Sequence, residues 1–169
     1  MTALAKTQAA EKLAPTEGLK PHYLECLNLV ERLHRQLLDV IKDELDRRGE
    51  REINSVQALL LFNIGDQELT AGELRTRGHY LGSNVSYNLK KLVESGYINH
   101  ERSDSDRRSV HVSLTDKGRE ICDVVIKLFD RHLDSIEAVG NLSTGDFGGI
   151  NASLRRLERF WLDQVRYRL

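Results

Sequence analysis

The sequence predicts a mainly α-helical chain with a small β-hairpin near its middle. Three features carry that expectation. Residues 70–96 hold two short helical patterns on either side of a glycine-bracketed turn, residues 97–114 hold two short strand patterns around a charged tip, and long stretches with an apolar residue every third or fourth position flank both. With 169 residues, 40% of them apolar, 30% charged and only two prolines, the chain can bury a core and is poorly suited to disorder.

Taken in order, residues 1–20 are rich in Ala, Lys, Glu and Thr, and Pro15 and Gly18 precede Pro21, which predicts a mobile arm that could carry a short helix. From 22 to 48, Leu24, Leu27, Val30, Leu33, Leu37, Ile41 and Leu45 step by three or four, so one amphipathic helix is expected to run to Gly49. Asn54 with Gln57 caps a next helix, whose VQALLLF run is apolar almost all round and therefore central. Thr70 followed by Glu73 is a capping box that starts a short helix near Ala71, and Gly78 and Gly82 bracket the turn after it. In the following helix Val85, Leu89 and Leu92 face inward, while Ser83, Ser86, Tyr87, Lys90 and Lys91 face outward; Gly96 closes it.

Tyr97, Ile98 and His100 then predict one strand, and 109–114, with Val110, Val112 and Leu114 on one face, predict the other; RSDSDRR lies between them. Thr115 opens a long helix through Ile121, Val124, Val125, Leu128, Leu133 and Ile136, which Gly140 and Asn141 break. Ser143 with Asp146 caps a last helix striped by Ile150, Leu154, Leu157, Phe160, Trp161 and Val165. Arg155, Arg156, Glu158 and Arg159 on its other side read as a solvated face.

Two helices joined by a tight turn, the second presenting hydroxyl, amide and cationic groups, match a helix-turn-helix whose second helix enters the DNA major groove. The DNA-contacting candidates are Ser83, Asn84, Ser86, Tyr87, Asn88, Lys90 and Lys91, the lysines suited to phosphates and the rest to base edges. Arg107 and Arg108 at the hairpin tip suit phosphate or a minor groove, and Asp106, two positions before Arg108, can accept its guanidinium hydrogen bonds and orient it. Net charge is −1, so affinity for nucleic acid must come from local arrangement; residues 70–114 carry seven basic against five acidic side chains.

The helix-turn-helix, the D-R-R-S tip at Asp106 to Ser109 and the LTDKGRE run at Leu114 to Glu120 resemble the MarR family of winged-helix transcription regulators over nearly the whole chain. In that family the D-x-R-S tip is the wing and L-T-x-x-G opens the helix after it; Asp106, Arg108, Leu114, Thr115 and Gly118 occupy those positions. Tyr87 follows Val85 and Ser86 where many members carry arginine, so the resemblance transfers the fold and not a DNA sequence. It implies a winged helix-turn-helix at 53–114 and a helical dimerisation region at 21–48 and 115–169. The apolar stripes at both ends of the chain independently ask for a partner surface. The resulting expectation is a homodimeric regulator, a repressor as in most of the family, on palindromic double-stranded DNA.

The resemblance further implies release by a small aromatic effector, for which Leu33, Leu37, Leu59, Phe62 and Asn63 are candidates, although the same pattern also reads as ordinary core. A redox trigger occurs in one branch of the family with a cysteine placed as Cys26 is. Its neighbours LECLN supply an acid rather than the cation that a reactive thiolate needs, which favours a buried thiol.

The six histidines and two cysteines form no metal-ligand spacing, and neither a phosphate-binding glycine loop nor a nucleophile elbow is present in the sequence, so no metal, cofactor or enzymatic activity is expected. No apolar run approaches the roughly 20 residues of a membrane helix, and the dispersed cysteines fit a reduced, cytoplasmic protein. The alternative function is a winged-helix protein-interaction module without sequence-specific DNA binding.

Overall fold

The computed structural model describes residues 15–70, 73, 82–102 and 110–167. Among them the order is α1 (Pro15–Arg48), α2 (Ser55–Ile64), β1 (Leu69–Thr70), α3 (Gly82–Glu94), β2 (Ile98–Arg102), β3 (Val110–Leu114), α4 (Asp116–Gly140) and α5 (Thr144–Tyr167). The fold is that of a winged helix, largely helical with a three-stranded antiparallel sheet in the order β1-β3-β2.

The described residues up to Val56 form one compact unit. Its helix α1 spans 34 residues, about 51 Å, and starts seven residues before the expected point. Pro21 was expected to precede the helix and instead lies inside it. A proline there lacks the N–H for the carbonyl four residues back, yet the chain continues helically; Pro15 sits at the first position, where that N–H would have no partner anyway. The arm expected at 1–20 is therefore helical from Pro15 onward, and residues 1–14 lie outside the described part.

Ile41 and Leu45 of α1 are buried, as is Glu44, whose carboxylate accepts from Arg48 Nε at 2.8 Å. That pairing is what makes a buried carboxylate tolerable. Lys42–Asp46 at 2.6 Å and Arg47–Asp43 add exposed pairs one turn apart. Further up the same helix Leu24 and Leu33 stay exposed.

The described residues from Gln57 onward form the second unit, and it contains the sheet. Its core is drawn from Ala58, Leu60, Leu61 and Ile64 of α2, Leu89 and Leu92 of α3, Ile98, Val112 and Leu114 of the sheet, and Ile121, Val125 and Leu128 of α4. Phe62 meets Phe129 edge to face, with ring centroids 5.1 Å apart. β2 and β3 pair in register from Ile98 with Leu114 to Arg102 with Val110, which puts the expected hairpin in place.

β1 was not foreseen. Leu69 pairs with Val112 and Thr70 with His111, a strand of two residues that exists only through its partner. The capping box at the same point holds: Glu73 N–H donates to Thr70 Oγ1 at 3.1 Å, and Thr70 N–H donates to Glu73 Oε2 at 2.7 Å. Of the helix expected from Ala71, only Glu73 falls within the described residues.

One small region joins α3, the sheet and α4. At the end of α3 the Tyr97 N–H donates to Leu92 O at 2.9 Å and the Gly96 N–H to Val93 O at 3.0 Å, with Gly96 at φ +73°, the left-handed closure that only glycine accepts cheaply. Thr115 then caps α4: its Oγ1 accepts from the Gly118 N–H at 3.1 Å and donates to Gly96 O at 2.7 Å, while its N–H donates to Tyr97 O at 3.1 Å. Lys117 Nζ donates to Ser95 O at 3.2 Å and lies 4.2 Å from the centre of the buried Tyr97 ring. A Cβ at Gly118 would fall 2.1 Å from Tyr97 O, so the backbone passes where any other residue would put an atom.

α4 ends at Asn141, which takes the left-handed conformation (φ 50°), and the Ser143 and Asp146 cap opens α5 as expected, Ser143 N–H donating to Asp146 Oδ2 at 2.9 Å. No described residue of the 24-residue α5 is buried.

Candidate nucleic-acid interface

The candidate site is the outward side of α3. Leu89 and Leu92 fix its inward side; Tyr87, Lys90, Lys91 and Glu94, spaced three and four apart, share the outward one, and Ser86 is exposed at its edge. Tyr87 is 63% exposed, an uncommon setting for so large a ring. Asn88 is half-buried at the margin of this face, and both it and Ser86 hold polar partners. Ser83 and Asn84 lie in the first turn of α3. The structure thus brings these seven expected residues onto one helix.

The tip residues Asp106, Arg107 and Arg108 lie outside the described residues, between β2 and β3.

Sequence reasoning counted Glu94 only as a charge and missed its position. Lys91 Nζ donates to Glu94 Oε2 at 3.0 Å, and Lys90 Nζ stands 3.8 Å from Glu94 Oε1. The hydrogen bond and charge of Glu94 hold the Lys91 ammonium above its ordinary range, and Lys91 holds the Glu94 carboxylate below the usual one. The signal was available: lysines three and four residues before a glutamate on one helix face. Beside the helix a groove of about 470 Å³ runs to the sheet, lined by Ser86, Leu89, Lys90, Val93, Glu94, His100 and Val112.

The effector candidates differ in setting: Leu59 is buried, Leu37, Phe62 and Asn63 are half-buried, and Leu33 is exposed. Cys26 is half-buried and free, Cys122 is buried, and burial pushes the Cys122 thiol up, with Asp123 and Asp66 adding to the effect. Among the described residues no three His, Cys, Asp or Glu side chains gather as a metal site would require, and no helix is long and apolar enough to cross a membrane.

A helix with a polar, cationic outer face, set on a three-stranded sheet and followed by a hairpin, defines a winged-helix DNA-binding domain, and residues 53–118 match the family described in those words. Over 148 residues the chain is 36% identical to the exopolysaccharide II synthesis transcriptional activator ExpG of Rhizobium meliloti, covering 86% of this chain and 74% of that one. Among solved structures it is similar to FabT of Streptococcus pneumoniae, crystallised with DNA (24% identity, TM-score 0.61, 83% of this chain and 98% of that one). It is also similar to AbsC, a MarR family regulator of Streptomyces coelicolor (18% identity, TM-score 0.64, 90% and 98%). The chain belongs to the MarR family of winged helix-turn-helix transcriptional regulators.

Proposed function

We propose that this regulator works as a homodimer that reads an inverted repeat in double-stranded DNA through α3, with Arg107 and Arg108 reaching the flanking backbone or minor groove and Asp106 orienting Arg108. The observation that carries it is the division of α3, with Leu89 and Leu92 inside and Tyr87, Lys90 and Lys91 outside on a helix locked at its C-terminal end. FabT, similar in fold, was solved with DNA, which supports the same partner here.

The dimer is supported by α5. Ile150, Leu154 and Trp161 recur on one arc of that helix and all remain exposed in the single chain, as do Leu24 and Leu33 of α1. Apolar stripes of this length normally mark an interface. Two copies related by a twofold axis place their reading helices about 34–36 Å apart, one turn of DNA, and so fit a palindrome.

A small aromatic effector is proposed to release the DNA, with the buried Leu59 and the half-buried Phe62 and Asn63 of α2 as its candidate contacts. A cytoplasmic location follows from this role. The expected repression stands against the activation named for the ExpG relative. Deleting the gene beside a promoter reporter separates them: a rise in output means repression and a fall means activation.

The deciding experiment is footprinting of genomic fragments with excess nonspecific competitor, paired with light scattering on the protein. A protected inverted repeat and a dimer mass are expected. A protomer mass at working concentration, or no protected site, overturns the proposal, and the second result favours a protein-interaction module.

A further inference from the structure

The charges of α3 include one that DNA contact by its lysines does not explain. Glu94 is the last residue of the helix, where a carboxylate meets the negative end of the helix dipole and weakens the helix rather than supporting it. It lies two turns beyond Tyr87 on the same outward side, where it would face phosphate with the wrong sign. Both lysines of the helix nevertheless converge on it, Lys91 at 3.0 Å and Lys90 at 3.8 Å, one on each carboxylate oxygen.

We propose that Glu94 is a positioning and specificity-determining residue: it ties Lys90 and Lys91 back to the end of α3, so that they contribute when the helix is seated in its site and little when it rests on arbitrary DNA. The inference rests on α3 being the reading helix. A lysine ammonium on a flexible stem follows any phosphate within reach, and sequence-independent affinity grows with the number of phosphates neutralised. A lysine that must leave a carboxylate to reach phosphate gains less from each such encounter. In the seated complex, pre-set side chains lose less rotamer freedom, which offsets part of that cost.

The test compares wild type with Glu94→Gln by fluorescence anisotropy on the footprinted fragment and on a scrambled duplex of equal length, between about 50 and 300 mM KCl. Glu94→Gln is expected to tighten binding to the scrambled duplex about three- to tenfold and to steepen its salt slope by about one. Binding to the footprinted fragment should tighten less, so the specificity ratio falls. With Lys90→Ala and Lys91→Ala already in place, Glu94→Gln only removes a like charge near phosphate, so it is expected to tighten both duplexes by the same small factor and to leave the specificity ratio unchanged.

An unchanged specificity ratio in the wild-type background, or a change in that ratio that persists without the lysines, overturns the inference while the reading-helix assignment stands on the wild type's own footprint. A wild type that protects no fragment overturns both.

Discussion

Gly118→Ala separates two physical accounts of the start of α4 because they predict opposite signs. Helix propensity alone favours alanine over glycine by up to about 1 kcal/mol. The new Cβ, however, would stand 2.1 Å from Tyr97 O and 3.2 Å from Tyr97 C, well inside an ordinary carbon–oxygen contact of about 3.3 Å. Relief requires a movement of roughly 1 Å by the strand or the helix, and the Tyr97 carbonyl is the acceptor for Thr115 N–H. Overpacking costs about 1–3 kcal/mol, and each weakened hydrogen bond of the Thr115 cap about 1 more. Net destabilisation of about 2–4 kcal/mol is expected, which for a chain of this length lowers Tm by roughly 5–15 °C.

Thermal melts by circular dichroism at matched protein concentration measure it, with Gly148→Ala as the control. Gly148 also lies in a helix but has nothing within 4 Å of its would-be Cβ, so its substitution should be neutral or mildly stabilising. A Gly118→Ala variant that melts at or above wild type would refute the close-approach account.

Three further outcomes are expected. Lys91→Ala should reduce the slope of log affinity against log salt by about one if Lys91 meets a phosphate, and a parallel line removes that contact. The Asp146 carboxyl is held below its ordinary range by the Ser143 hydroxyl and backbone N–H, so its contribution to the α5 cap is present above the unfolded-state pKa and is lost as pH falls through the folded one. Melts of wild type and Asp146→Asn should therefore converge on acidification, and a constant gap between them contradicts the cap's titration. In the native protein Cys26 should alkylate well before Cys122, whose thiol is buried and pushed up; mass spectrometry showing Cys122 labelled first would contradict that burial.

Local signals were the legible part of this fold. Thr70 with Glu73 and Ser143 with Asp146 each place donor and acceptor within one turn, so spacing alone reveals them, and each set of hydrogen bonds forms. The inward side of α3 was likewise readable from Leu89 and Leu92. β1 was not, since two residues carry no periodicity and Leu69 becomes a strand only by pairing with Val112, more than forty positions away. The start of α1 was misread because Gly18 and Pro21 are ordinary stop signals, yet a single missing N–H does not end a helix of 34 residues. Glu94 was legible and passed over: a tally of charges records its sign and loses the two lysines it touches.

The meeting of Gly96, Tyr97, Thr115 and Lys117 has a mechanical meaning. Because the C-terminal end of α3 and the first turn of α4 are tied through the same backbone carbonyls, there is no slack between them. A twist of α4 about its axis must either carry the tail of α3 with it or tear those ties. The start of the long helix is thus coupled to the close of the helix proposed to read DNA.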